Sequence, residues 1–204
     1  MILENAIGIV ENNKMNTKSN QIEGIGKMFK LETPRLILRN ILMDDAHTFM
    51  QYRNDPEVAR YQSWLPNLTL KEIIAFITPL SQKKIPTPNH WNQIAITLKS
   101  NSQHIGDIAF KLSEDQKQGE LGFTLNRSYQ HQGYAFEAVS NFLDWIFDSY
   151  QLHRIFAICD TLNLGSINLL EKLHFRREGH FIKNIFFKGS WGDEYLYALL
   201  GEER

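Results

Sequence analysis

The chain has 204 residues, 43% of them hydrophobic, with 13 Phe, 7 Tyr and 4 Trp and a net charge of -1 at pH 7. That is enough apolar side chain for a sizeable core in one large or two small domains. Balanced charge without a basic stripe argues against nucleic acid as a main ligand, and no apolar run reaches the roughly 18 residues that a membrane helix needs.

The first residues lack a signal-peptide pattern, since Glu4, Asn5 and Glu11 to Asn13 interrupt any apolar region. A single cysteine, Cys159, rules out an internal disulfide and fits a reducing cytoplasm. The 7 histidines show no metal-ligand spacing with a second Cys or His, so no metal is expected. Residues 1–28 are rich in Asn, Lys, Glu, Ser and Gly without sustained periodicity, which predicts a flexible extension ahead of one domain over residues 29–204.

Leu36-Ile37-Leu38 reads as a short strand core between Arg35 and Arg39. Asp44-Asp45-Ala46-His47 opens a helix running to about Arg53, with acids in its first turn and Pro56 beyond its end. Thr69 or Asn67 caps a second helix from Leu70 to Ile77, after which Pro79, Pro86 and Pro88 act as breakers. Ile94, Ile96 and Leu98 alternate with Gln93, Ala95 and Thr97 as in a half-buried strand, and Ile108, Phe110 and Leu112 form the next. Asn101-Ser102 and Gln116 to Gly119 signal turns, and Gly119 to Leu125 reads as a third strand of this meander.

From Gly133 to Tyr150 the apolar residues Ala135, Val139, Phe142 and Ile146 form a core-facing helical stripe. Arg154 to Cys159 is a short, mostly apolar strand, Asn163 to His174 a short helix, and Phe181–Phe187 and Tyr195–Leu200 two strands around a hairpin tip at Lys188 to Asp193. Strands and helices in this order predict a mixed α/β sheet with helices on both faces.

Between the strand at 119–125 and the long helix lies Gln130-His131-Gln132-Gly133-Tyr134-Ala135. First-turn N–H groups have no intrahelical partner, and with the helix dipole they attract anions, phosphate above all. Gly133 permits close backbone approach. By itself such a loop is a weak signal, since many of this composition merely turn.

Three blocks together are specific: Glu120-Leu121-Gly122-Phe123, the loop pattern at Gln130, Gly133 and Ala135, and Asn163-x-x-Ser166 followed by Glu171-Lys172-x-x-Phe175. Their combination resembles the GNAT superfamily of acyl-CoA-dependent N-acetyltransferases. The stretch Leu31 to Arg39 is similar to the start of the branch that contains ribosomal-protein N-terminal acetyltransferases. The resemblance spans roughly residues 28–200. It implies a mostly antiparallel central sheet, splayed at a cofactor cleft, and acetyl-CoA as co-substrate without a metal.

The resemblance also implies roles. Backbone N–H groups of Gln130, His131, Gln132, Gly133, Tyr134, Ala135 and Phe136 would hold the pyrophosphate, with side-chain contacts from His131 or Gln132. Pantetheine would pair like an extra strand with the edge at Phe123, Thr124 and Leu125, one of whose N–H groups would hold the thioester oxygen. Asn163 would bond a pantetheine amide, Ser166 would help protonate the departing thiolate, and Lys172 joins the cofactor set. The acceptor would be an amine, a protein N-terminus or a small molecule, and the protein a monomer or homodimer.

An attacking amine must lose a proton, which calls for a nearby carboxylate. Glu120 is the first candidate, on the face of Gly122 and Thr124 by alternation; Asp160, at the end of the next strand, is the second. Arg60 to Trp64 and Trp191 are candidate walls of the acceptor pocket. Each has a plain structural counterpart: Asn163 is also a good N-cap for the helix it opens, and Glu120 a common solvent-facing strand acid. A non-catalytic acyl-CoA-binding module on the same scaffold is the competing reading. A nucleotide enzyme is disfavoured, because no Gly-Lys-Ser/Thr follows the loop.

Overall fold

The computed structural model describes residues 28–204; the extension expected over residues 1–28 lies, apart from Met28, outside the described residues. Eight strands form one sheet: β1 (Lys30–Glu32), β2 (Leu36–Asn40), β3 (Trp91–Leu98), β4 (His104–Leu112), β5 (Gln118–Leu125), β6 (Arg154–Asp160), β7 (Arg176–Phe187) and β8 (Ser190–Leu200). Their order across the sheet is β1-β2-β3-β4-β5-β6-β8-β7. Only β5 and β6 run parallel; the other neighbours are antiparallel. The parallel step needs a crossover, supplied by helix α4 (Tyr134–Tyr150).

Alternation along the strands sends apolar side chains to both faces, and helices cover both. Val139, Phe142 and Ile146 of α4 are fully buried against Leu36, Leu38, Ile94, Ile96, Ile108 and Phe110, so the stripe read from the sequence is the packed face, except that Ala135 is half-buried. On the opposite face Ala95 meets Phe49 and Tyr52 of α1 (Ala46–Arg53) and Ile73 and Ile77 of α3 (Leu70–Ser81). Burial of each large core side chain contributes about 1.5–3 kcal/mol. Because both faces are covered, β3 is buried from Asn92 to Leu98 and not half-buried as its alternation suggested. Gln93 is accommodated by donating to Asp107, which also accepts from Tyr52 Oη and lies 3.7 Å from Arg53 Nη2.

Other expectations need correction. Pro56 does not merely follow a helix: it is the first residue of a short one, α2 (Pro56–Ala59), where its missing N–H costs nothing, with Asp55 capping Glu57 N at 2.9 Å. Helix α3 has the expected Thr69 cap, as a reciprocal capping box with Glu72. It runs through Pro79 to Ser81, and so loses its proline-disrupted bond only in the last turn. Strand β1 was not foreseen. The terminal hairpin is longer than expected and turns tightly at Lys188 and Gly189, both with positive φ (47° and 89°), as a two-residue turn demands.

Candidate active site

β5 and β6 pair only through Gln118–Arg154, Gly119–Ile155 and Glu120–Phe156. Beyond Glu120 the two strands separate, while β5 stays paired with β4 to Leu125 and β6 with β8 to Asp160. The facing edges of Leu121–Leu125 and Ala157–Asp160 are therefore left without strand partners, and a wedge opens toward the carboxyl ends of both strands. Leu121, Gly122 and Phe123 form one wall, Ile158, Cys159 and Asp160 the other, with Asn163, Ser166 and Leu170 of the following helix α5 (Leu164–Lys172) and its cap closing one side. Tyr61 and Gln62, after α2, close the opposite side.

The loop at Gln130 to Ala135 follows the carboxyl end of β5, the end toward which the wedge opens, and leads into α4. Gly133 is the N-cap of α4 with φ 80° and offers no capping side chain. The N–H groups of His131, Gln132 and Gly133 donate to nothing among the described residues, and the first-turn amides of Tyr134, Ala135 and Phe136 have no intrahelical acceptor. The glutamine side chains are not free: Gln130 Nε2 donates to Leu125 O at 3.0 Å and Gln132 Nε2 to Ser128 O at 2.9 Å. They shape the loop, and the backbone is what it presents. His131 is exposed with φ 59°. This is an uncapped helix N-terminus shaped for an anion.

Asn163 Oδ1 accepts from Ser166 N at 3.1 Å, so the capping role holds and the side-chain amide nitrogen remains for a ligand. Ser166 lines the wedge and its hydroxyl has no partner among the described residues. Lys172 lies at the far end of α5, with Nζ 4.6 Å from the centroid of the Phe136 ring, and so ties α5 to the first turn of α4. Phe123 and Leu125 are half-buried on the β5 edge, whereas Thr124 is buried on the face under α1 and α3.

The two candidate bases differ in position. Asp160 lines the wedge, its Oδ1 accepting from Leu162 N at 2.7 Å. Glu120 stands in the closed part, half-buried between Lys111 and Phe156, and desolvation raises its carboxyl above the usual range. Cys159 also lines the wedge, but burial, reinforced by the charges of Asp160, Glu194 and Glu171, pushes its thiol up to about 11. It is a neutral thiol at physiological pH, not a nucleophile.

Of the aromatic candidates, Tyr61 reaches the wedge and Trp64 does not: its indole donates to Arg53 O at 3.0 Å and its ring packs on the Arg53 guanidinium. Trp191 is exposed and packs edge-on against Phe186. Gln62, within the Arg60 to Trp64 segment, also lines the wedge, and nothing in its spacing marks it. Among the described residues no group of His, Cys, Asp or Glu is arranged to hold a metal ion, and no helix is long and apolar enough to cross a membrane.

An uncapped helix start joined to a splayed parallel strand pair suits a long cofactor with a phosphate head and an amide tail. The acetyltransferase (GNAT) domain model matches residues 35–176. The chain belongs to the GNAT acetyltransferase family. It is 34% identical to the uncharacterized N-acetyltransferase p20 of Bacillus licheniformis, over 86% of this chain and 98% of that one. A GNAT-family acetyltransferase structure from Bacillus anthracis superposes with a TM-score of 0.77 at 30% identity, covering 86% of this chain and all of the other. The ribosomal-protein-S5-alanine acetyltransferase of Vibrio fischeri shares the fold, with a TM-score of 0.74 at 24% identity over 86% and 98% of the two chains. As a GNAT member the protein is an acyl-CoA-dependent acetyltransferase.

Proposed function

We propose that this GNAT enzyme transfers the acetyl group of acetyl-CoA to a primary amine, a protein N-terminus or a small molecule, by direct attack of nitrogen on the thioester carbonyl. The observation that carries this reading is that the unpaired β5 and β6 edges open onto the uncapped start of α4 at the same end of the sheet. Pyrophosphate at the loop and pantetheine amides along the β5 edge satisfy both sets of orphan backbone groups at once.

A β5 N–H between Phe123 and Leu125 supplies the donor for the thioester oxygen. The acceptor approaches past Tyr61 and Gln62. Asp160, inside the wedge, takes the proton from the amine directly or through water, and Ser166 delivers a proton to the sulfur as the carbon–sulfur bond breaks. Lys172 acts by holding α5 against α4. The test is purified protein with acetyl-CoA and a panel of amines and N-terminal peptides, followed by release of free CoA thiol and the mass of the acetylated acceptor. Thiol release that requires an amine supports the reading; binding of CoA without turnover of any amine overturns it in favour of a sensor.

A further inference from the structure

Glu137 sits in the first turn of α4, where its negative charge opposes an incoming phosphate. Every strong contact it makes comes from the turn between β1 and β2. Oε1 accepts from Thr33 Oγ1 at 2.6 Å and from Arg35 N at 2.7 Å, and Oε2 accepts from Arg35 Nε at 2.6 Å. The same guanidinium donates through Nη1 to Gln132 O at 3.1 Å, inside the anion loop, and lies 4.3 Å from the centroid of the Tyr134 ring. Arg35 is thus fixed on three sides by the loop that it borders, although its side chain is half-exposed.

Its third nitrogen is unused. Nη2 makes no hydrogen bond among the described residues, and it stands 3.4 Å from where a Cβ on Gly133 would be. A guanidinium held at two nitrogens and free at the third, beside unpaired backbone N–H groups, is suited to a phosphate oxygen.

We propose that Arg35 is a phosphate-binding residue of the cofactor site, donating through Nη2 to the pyrophosphate of coenzyme A while Nε and Nη1 hold Glu137 and Gln132. The inference rests on coenzyme A as the donor's carrier. It makes the β1–β2 turn, about 100 residues before the loop in sequence, a third wall of that site, and it gives Glu137 a reason to be tolerated there: its charge is cancelled by the residue that serves the phosphate.

The experiment compares binding of CoA, 3′-dephospho-CoA and phosphate-free pantetheine to the wild type, Arg35→Ala and Glu137→Gln by calorimetry or ligand-observed NMR. Arg35→Ala is expected to weaken CoA and 3′-dephospho-CoA about tenfold and to leave pantetheine unchanged. Glu137→Gln loosens the brace but also removes a repelling charge, so it is expected to weaken CoA less than Arg35→Ala does and to leave pantetheine unchanged. If both variants lose affinity for CoA and pantetheine alike, the pair is merely structural and the proposal fails. It fails too if Arg35→Ala spares 3′-dephospho-CoA, which would assign the charge to the 3′-phosphate, or if CoA affinity does not change. A wild type that binds no CoA would sink the donor reading itself, an outcome distinct from these.

Discussion

The Tyr197 hydroxyl donates to Glu171 Oε1 at 2.9 Å, joining strand β8 to the last turn of α5, the helix whose first turn carries Asn163 and Ser166. Tyr197 is fully buried, and desolvation, with the Glu171 bond and charge adding to it, raises its phenol to about 12. An unfolded tyrosine titrates near 10. The folded state therefore holds this proton more tightly than the unfolded chain does. Stability due to it is intact below pH 10 and is lost as pH rises from about 10 to about 12. Tyr197→Phe is expected to cost about 1 kcal/mol at pH 7 and to flatten part of the alkaline decline. Urea unfolding at pH 7, 9 and 11 checks both.

Cys159 behaves in the same direction at lower pH. Its thiol is held at about 11, above the unfolded value near 8.5, so it favours the folded state less and less between those two values. Below pH 9 it is a poor thiolate. Iodoacetamide is expected to label native protein far more slowly than urea-unfolded protein, and Cys159→Ala to retain acetyl transfer within about twofold. Loss of turnover in that variant would implicate the sulfur in the chemistry.

Asp107 is the buried charge on which the α1 side of the sheet depends. It is 1% exposed, accepts from Tyr52 and Gln93, and faces Arg53. Asp107→Ala strands all three partners, and removing one member of a buried charged set costs about 3–5 kcal/mol. A fall of that size in urea-unfolding free energy is expected, with a lower melting temperature. Asp107→Asn, which keeps two polar atoms in place, is expected to lose less.

Which of these features the sequence revealed depends on whether they are local. The α4 stripe apart from Ala135, the choice of Thr69 as cap and the turn at Ser102 are decided within a few residues; the turn read at Gln116 to Gly119 gives way to β5 at Gln118. His174 takes the left-handed backbone at the end of α5 that its position demands (φ 65°). The burial of both faces of β3 was illegible, because Gln93 and Thr97 look solvent-facing until Asp107 and Ile37 O are seen to receive their hydrogen bonds. Similarly, the wedge arises from where β5 and β6 stop pairing, which depends on strand twist and register and not on composition. That break leaves Glu120, which alternation ranks first, on the closed side and Asp160, ranked second, on the open one. Arg35 stands in the sequence as the flank of a strand and as part of the Leu31 to Arg39 stretch, with no role attached; its bond to Glu137 crosses 102 residues, and nothing in either local pattern announces the other.

Gly133 tests the anion loop without touching the core. With φ at 80° it occupies a region that side chains strain to enter, and a Cβ there would stand 3.4 Å from Arg35 Nη2. Gly133→Val is expected to weaken CoA binding by tenfold or more and, through the backbone strain of about 1–3 kcal/mol, to lower the melting temperature by a few degrees while leaving the core intact, since the residue is exposed and packs against no core side chain. Calorimetric titration beside a thermal melt separates the two effects. Unchanged affinity would count against the loop as the pyrophosphate site.

The assignment of the base is the sharpest remaining test, because geometry and titration point to different carboxylates. Glu120 has the raised carboxyl expected of a tuned base, but its shift comes from half-burial at the last paired position of β5, and it is not among the residues that line the wedge. A base must reach the proton it removes, directly or through one water, so position outranks tuning. Asp160 lines the wedge beside Asn163 and Ser166, which is why it is the proposed base. Asp160→Asn is expected to lower kcat by about 10²–10⁴ with the KM for acetyl-CoA nearly unchanged, and to steepen the dependence of rate on pH, as only the fraction of amine already deprotonated in solution remains reactive. Glu120→Gln is expected to keep most of its kcat. The reverse pattern, with Glu120→Gln inactive and Asp160→Asn active, would return the proton to Glu120 through a water chain along the closed end of the sheet.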